Sequence, residues 1–158
     1  ASLASDAGLT TIALCEPNRS TRVWIDPTQV LPFHATASGI VYLAHLPKPE
    51  ADALLARTSD KRYTAETATR DELQDRMSKA RRLGYAHSIG GFEIDTAGFA
   101  APVFDWHGKV IATMGLACVR SRLDEANHDP LIRAVLHAAN AATRAFGGKI
   151  PDSSAGLA

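Results

Sequence analysis

An α+β fold, an antiparallel sheet flanked by helices, is the class this sequence predicts, and three observations predict it. Thr96 to Leu116 sets two nearly continuous apolar runs around the tight polar turn Asp105-Trp106-His107-Gly108, which reads as a hairpin inside a buried sheet. Two stretches, one after Thr69 and one before Gly147, carry apolar residues at helical spacing. The connections between strand-like segments are too short for repeated parallel crossovers, so the strands must run antiparallel.

Taken in order, Ala1 to Gly8 reads as the last turn of a helix closed by glycine. Leu9 to Cys15 has strand character, Glu16 to Ser20 is a turn by composition, and Thr21 to Ile25 alternates polar and apolar as a half-exposed strand would. Pro32 keeps the next segment extended until Thr36, where a helix begins that Pro47 stops. Glu50 to Arg57 is a short helix, and Thr58 to Thr69 is a polar connection. Thr69-Arg70-Asp71-Glu72 is a capping box opening a helix with Leu73, Met77, Ala80 and Leu83 on one face and Gly84 at its end. Tyr85 to Ser88 is a short strand, Ile89 to Phe92 a loop, and the hairpin follows. Asp129 is placed to cap a final helix with Pro130 at its first position and a buried stripe from Leu131 to Phe146.

The hairpin strands are studded with Gly98, Ala100, Ala101, Ala112, Gly115 and Ala117, where a sheet maximising its own packing would carry branched side chains. Small residues on a buried face leave room for something else. Phe33, Tyr42, Phe92 and Met114, close in sequence to small residues, are candidate walls of such a pocket.

At 158 residues the chain suits one domain with a core of its own. Seventeen basic residues balance seventeen acidic ones, so no net field draws the chain to nucleic acid or an anionic membrane. No stretch approaches the roughly 20 apolar residues of a membrane helix, and the N-terminus has no secretory pattern. Cys15 and Cys118 read as reduced, buried thiols, which fits the cytoplasm.

The six histidines, His34, His45, His87, His107, His128 and His137, show no metal-ligand spacing, so no metal and no cofactor is expected. No nucleophile elbow, phosphate loop or dinucleotide fingerprint appears, and no residue is expected to be catalytic. Arg70, Arg76, Lys79, Arg81 and Arg82 interleave with acids and read as a solvated helix face. A redox or catalytic role for Cys118 is the alternative from another class, and a dimerisation module with a vestigial pocket is a third.

Leu31-Pro32-Phe33-His34-Ala35-Thr36-Ala37-Ser38-Gly39, Arg81-Arg82-Leu83-Gly84-Tyr85-Ala86 and Gly98-Phe99-Ala100-Ala101-Pro102-Val103-Phe104-Asp105 stand in an order and spacing that resembles one family. With Thr64-Ala65-Glu66-Thr67 ahead of the capped helix, they resemble the C-terminal effector-binding domain of IclR-type transcriptional regulators. The resemblance runs from Leu9 to Phe146. It implies a GAF-like curved antiparallel sheet over 9–148, the end of a linker helix over 1–8, and a disordered tail over 149–158. It also implies that operator DNA is bound only through an N-terminal winged helix-turn-helix outside this chain, with self-association into a dimer or tetramer and no membrane partner.

Effector contacts implied by the resemblance fall on Ala37, Ser38, Ser88, Gly98, Gly115 and Ala117, with the backbone of Thr36 to Gly39 facing a ligand carboxylate. Glyoxylate-responsive members place a carboxylate, a thiol and two hydroxyls at the last four positions, of which only Ser88 is polar here. Without those partners a tiny oxo-acid would leave its oxygens unbonded. The removed volume implies a larger, more apolar effector, an aromatic or cyclic acid. Two further departures are the short route from Glu16 to Leu31 and Ile40 in place of the family's basic residue.

Overall fold

The computed structural model describes residues 1–151. Five strands, β1 (Ser2–Ser5), β2 (Gly8–Thr11), β3 (Ala86–Ile89), β4 (Thr96–Phe104) and β5 (Val110–Val119), form one antiparallel sheet in the order β2-β1-β5-β4-β3. Four α-helices accompany it: α1 (Ala37–His45), α2 (Lys48–Arg57), α3 (Arg70–Leu83) and α4 (Glu125–Ala145). The α+β class is therefore the observed one.

The near-continuous apolar run of β4 has a direct cause, because the strand is covered on both faces. Ala100 and Phe104 pack with Ile40, Val41 and Leu43 of α1, Leu55 of α2, and Leu73 and Met77 of α3. Phe99, Ala101 and Val103 pack with Ile132, Val135 and Ala139 of α4. A half-exposed strand would have shown alternation; this one shows none.

Local signals set the helices. Thr69 accepts the Glu72 N–H at 3.3 Å while the Glu72 carboxylate accepts the Thr69 N–H at 2.8 Å, and Gly84 ends α3 at φ +74°. In the β4–β5 turn, Asp105 Oδ1 accepts the N–H groups of His107 and Lys109, and Gly108 supplies φ +76°.

Four expectations are corrected. Ser2–Ser5 is a strand and not the end of a helix, because a few residues cannot nucleate a helix while the β5 edge offers ladder partners through Ser2 and Thr113. Thr21 to Ile25 is irregular, since the outer edge of β2 is taken by Leu31, whose N–H and C=O pair with those of Leu9 at 2.8 and 2.9 Å. Helix α4 begins at Glu125, earlier than Asp129, because Asp124 and Asn127 close their own reciprocal capping box; Pro130 then lies inside the helix, and Phe146 is left 67% exposed at its end. Cys15 is exposed and Cys118 half-buried, where both were expected to be buried, and neither thiol is in a disulfide. Of the tail expected over 149–158, Lys149 is held by an N–H bond of 2.9 Å to the Asp105 carbonyl, and residues 152–158 lie outside the described residues.

His45 closes α1 with a partly buried ring whose Nε2 is out of reach of solvent. Its Nδ1–H donates to the Val41 carbonyl at 2.8 Å, its edge meets Phe104 at 5.4 Å, and Nε2 has no partner among the described residues. Burial holds its pKa below the ordinary 6.5; the Val41 bond opposes that and the charge of Arg81 adds to it. The folded chain thus resists a proton that the unfolded chain accepts. This stability is whole above about pH 6.5 and falls as pH drops toward the folded value, by at most about 1.4 kcal/mol per pH unit. Urea unfolding of His45→Leu should show a flatter dependence between about pH 7 and 5 than the parent; equal slopes would mean that the ring protonates in place.

Candidate functional site

The antiparallel register builds one end of the sheet into a row of small residues. Ser88 faces Gly98, Gly98 faces Ala117, and two residues along β4 Ala100 faces Gly115. Directly opposed residues in such a ladder share a face, as do alternate residues of one strand. Ser88, Gly98, Gly115 and Ala117 therefore all lie on the α1 side.

Helix α1 starts directly above them. Thr36 Oγ1 accepts the Gly39 N–H at 3.1 Å and donates to the Pro32 carbonyl at 2.9 Å. Among the described residues nothing accepts the N–H groups of Ala37 or Ser38, the first two of the helix. A Cβ at Gly115 would stand 3.0 Å from Ser38 Oγ, and one at Gly98 would stand 3.7 Å from the Ala37 methyl. The two glycines thus let the helix end approach the sheet as well as leaving space beside it.

That space is a cavity of about 160 Å³. Its lining includes all six residues Ala37, Ser38, Ser88, Gly98, Gly115 and Ala117. Of the four candidate wall residues it includes only Phe92. Phe33 is fully buried and stacks on Tyr42 at 6.0 Å within the α1 core, away from the cavity. Met114 pairs with Ala101 and so points to the α4 side, where it packs.

The remaining wall was not legible as such. Leu14, Val23, Trp24 and Ile25, from the irregular segment between β2 and α1, line its outer side with Phe92, Trp24 staying 70% exposed at the mouth, while Thr11, Gln29 and Thr96 bring polar atoms. The apolar cluster Val23-Trp24-Ile25 is the signal for it in the sequence, and its alternation with polar neighbours mimics a strand face. No lysine, arginine or histidine is among the described residues that line the cavity, and Glu93 is the one ionisable side chain there. Ser88 is less available than its position suggests, since its hydroxyl donates to the buried Ala35 carbonyl at 2.8 Å.

Elsewhere, Arg81 does more than solvate a helix: its guanidinium donates to the Ala44 and Leu46 carbonyls, satisfying the end of α1 beside a second hollow of about 510 Å³. Burial pushes the Cys118 thiol up, the opposite of what a reactive thiolate requires. No group of three or more metal-ligating side chains occurs among the described residues, and no helix among them is long and apolar enough to cross a membrane.

The family model described as "Bacterial transcriptional regulator IclR C-terminal" matches residues 2–144. The HTH-type transcriptional regulator XynR of Escherichia coli is 34% identical over 118 residues, covering 74% of this chain and 47% of that protein. KdgR of Dickeya chrysanthemi, also an HTH-type regulator, is 33% identical over 109 residues, covering 68% of this chain and 35% of that one. The chain thus spans about half or less of the length of these relatives, which are named as transcriptional regulators and not as enzymes. A crystal structure of an IclR-type regulator from Silicibacter sp. TM1040 superposes with a TM-score of 0.86 at 30% identity, covering 96% of this chain and 60% of that one. The IclR of Thermotoga maritima, at 23% identity, shares the fold with a TM-score of 0.85 over 92% of this chain and 60% of its own.

Proposed function

The chain belongs to the IclR family of bacterial transcriptional regulators, whose C-terminal domain it matches, and from that premise we propose that its cavity is the effector site of a cytoplasmic regulator. The effector is a compact acid with one carboxylate and an apolar body. The observation that carries this reading is the pair of N–H groups on Ala37 and Ser38, unpartnered among the described residues, at one end of a small cavity whose described lining mixes apolar and neutral polar residues with Glu93 and holds no basic side chain.

A carboxylate there meets backbone donors and the positive end of the α1 dipole. A second carboxylate would find no cationic side chain among the described lining residues, and Glu93 would oppose it. The volume of about 160 Å³ is close to that of an enclosed cavity of about 150 Å³ that takes benzene, which gives room for about one six-membered ring inside the open mouth at Trp24. Trp24, Ile25 and Phe92 supply its apolar surroundings.

Coupling to transcription follows if the acid binds one arrangement of a self-associated regulator better than another, so that DNA affinity in a separate domain shifts by the differential affinity. The acid is not transformed, and the mechanism is allosteric.

Thermal unfolding against benzoate, cyclohexanecarboxylate, terephthalate and benzamide tests the reading. At about 100 times its dissociation constant a ligand adds roughly 2.7 kcal/mol, a rise of about 5–10 °C for a domain of this size. The two monoacids are expected to give that shift, and the diacid and the neutral amide far less. A larger shift with terephthalate would overturn the single-anion reading, and no shift with either monoacid would leave the domain a dimerisation module with a vestigial pocket.

A further inference from the structure

The connection between α2 and α3 holds one wall of the cavity without touching it. Thr64 Oγ1 donates to the Gly90 carbonyl at 2.6 Å, and Thr67 Oγ1 donates to the Gly91 carbonyl at 2.7 Å. Two hydroxyls three residues apart thus take two successive carbonyls of the loop that leads into Phe92 and Glu93.

Both hydroxyls are also oriented by their own connection. Thr67 Oγ1 accepts the N–H groups of Tyr63 at 3.0 Å and Thr64 at 2.9 Å, and Thr64 Oγ1 accepts the Glu66 N–H at 3.0 Å. With one bond donated and two accepted, the Thr67 hydroxyl is saturated, and the residue is 2% exposed. The Tyr63 ring meets the Phe92 ring edge-on at 4.9 Å, so the connection also braces the aromatic wall. The loop's own backbone adds little stiffness, since it is glycine at both positions: Gly90 has φ +69°, and a Cβ on Gly91 would collide with Ser88 Oγ and stand 2.7 Å from the Ala35 carbonyl.

We propose that Thr64 and Thr67 are positioning residues that clamp the Gly90–Gly91 loop and thereby fix the Phe92 wall of the cavity. Neither threonine lines the cavity, so their effect on a ligand passes through the loop. The affinity part of this inference rests on the effector-site reading above; the clamp does not.

The test compares the wild-type domain with Thr67→Val, Thr67→Ser and Thr64→Val in two measurements. The first is amide exchange at Gly90 and Thr96, whose N–H groups donate to the Thr96 and Glu93 carbonyls at 2.8 and 3.1 Å. The second is calorimetric titration with benzoate. Thr67→Val should speed exchange at both amides and weaken benzoate, each by about tenfold, the equivalent of about 1.4 kcal/mol. Thr67→Ser, which keeps the hydroxyl, should stay close to wild type in both. Thr64→Val, at a half-buried position, should move in the same direction and serves if Thr67→Val does not fold.

Unchanged exchange in the valine variants overturns the clamp, whether or not benzoate binds. Faster exchange with wild-type benzoate affinity overturns the positioning of the wall. A wild-type domain that ignores benzoate counts against the effector reading alone, and exchange still decides the clamp.

Discussion

Gly39→Ala is expected to cost the domain about 3 kcal/mol or more, at the upper end of overpacking effects. The direction runs against intrinsic preference, because alanine in a helix interior is favoured over glycine by about 1 kcal/mol. What overrides that preference is the Phe33 backbone, whose Cα, C and O atoms occupy the place a Gly39 Cβ would take. These atoms belong to a chain segment fixed on either side. Leu31 is paired with Leu9, Thr36 holds the Pro32 carbonyl, and the His34 ring lies 2.9 Å from the Lys61 carbonyl. A flexible side chain would swing aside; a pinned backbone cannot. Urea denaturation reads the result as a fall in midpoint. A variant as stable as the parent would show that the segment is not held against α1.

Gly115→Leu should remove the response to benzoate, with at least about a hundredfold loss of affinity, the equivalent of about 2.7 kcal/mol. Its Cβ would already stand 3.0 Å from Ser38 Oγ, and the rest of the side chain must enter the cavity on the α1 side of the sheet. Folding should survive, because the neighbouring space is open and the residue lies in a strand. Met114→Leu is the matching control, since Met114 packs on the α4 side and its volume is nearly conserved. Benzoate should still raise the melting temperature of Met114→Leu by about as much as in the parent. Retained response in Gly115→Leu, or its loss in Met114→Leu, would place the ligand on the wrong face.

These two residues also show what the sequence makes legible. The capping box at Thr69 and the glycine at 84 are readable because their whole signal lies within one helix. The hairpin is readable because its turn is local, and its register, with the family resemblance, puts Gly98, Gly115 and Ala117 on one face. Met114, expected as a pocket wall, lies on the other face, since a one-residue step from Gly115 along a strand changes the face. Ser2–Ser5 needed knowledge of a vacant β5 edge, and Thr21 to Ile25 needed knowledge that Leu31 takes the β2 edge; neither is encoded nearby. Trp24 and the Thr67 hydroxyl act across the fold, so their neighbours could be seen only in three dimensions.

The wall between β2 and α1 separates two properties that most cavities join. Residues 12 to 30 contribute Leu14, Val23, Trp24 and Ile25 to the lining, yet none of them belongs to either apolar core. Substitutions there can reshape the chamber while leaving the interior that keeps the domain folded untouched. In evolutionary terms this stretch is an exchangeable part on a separately packed chassis: new chemical preferences can be tried along it at little risk to the rest of the molecule.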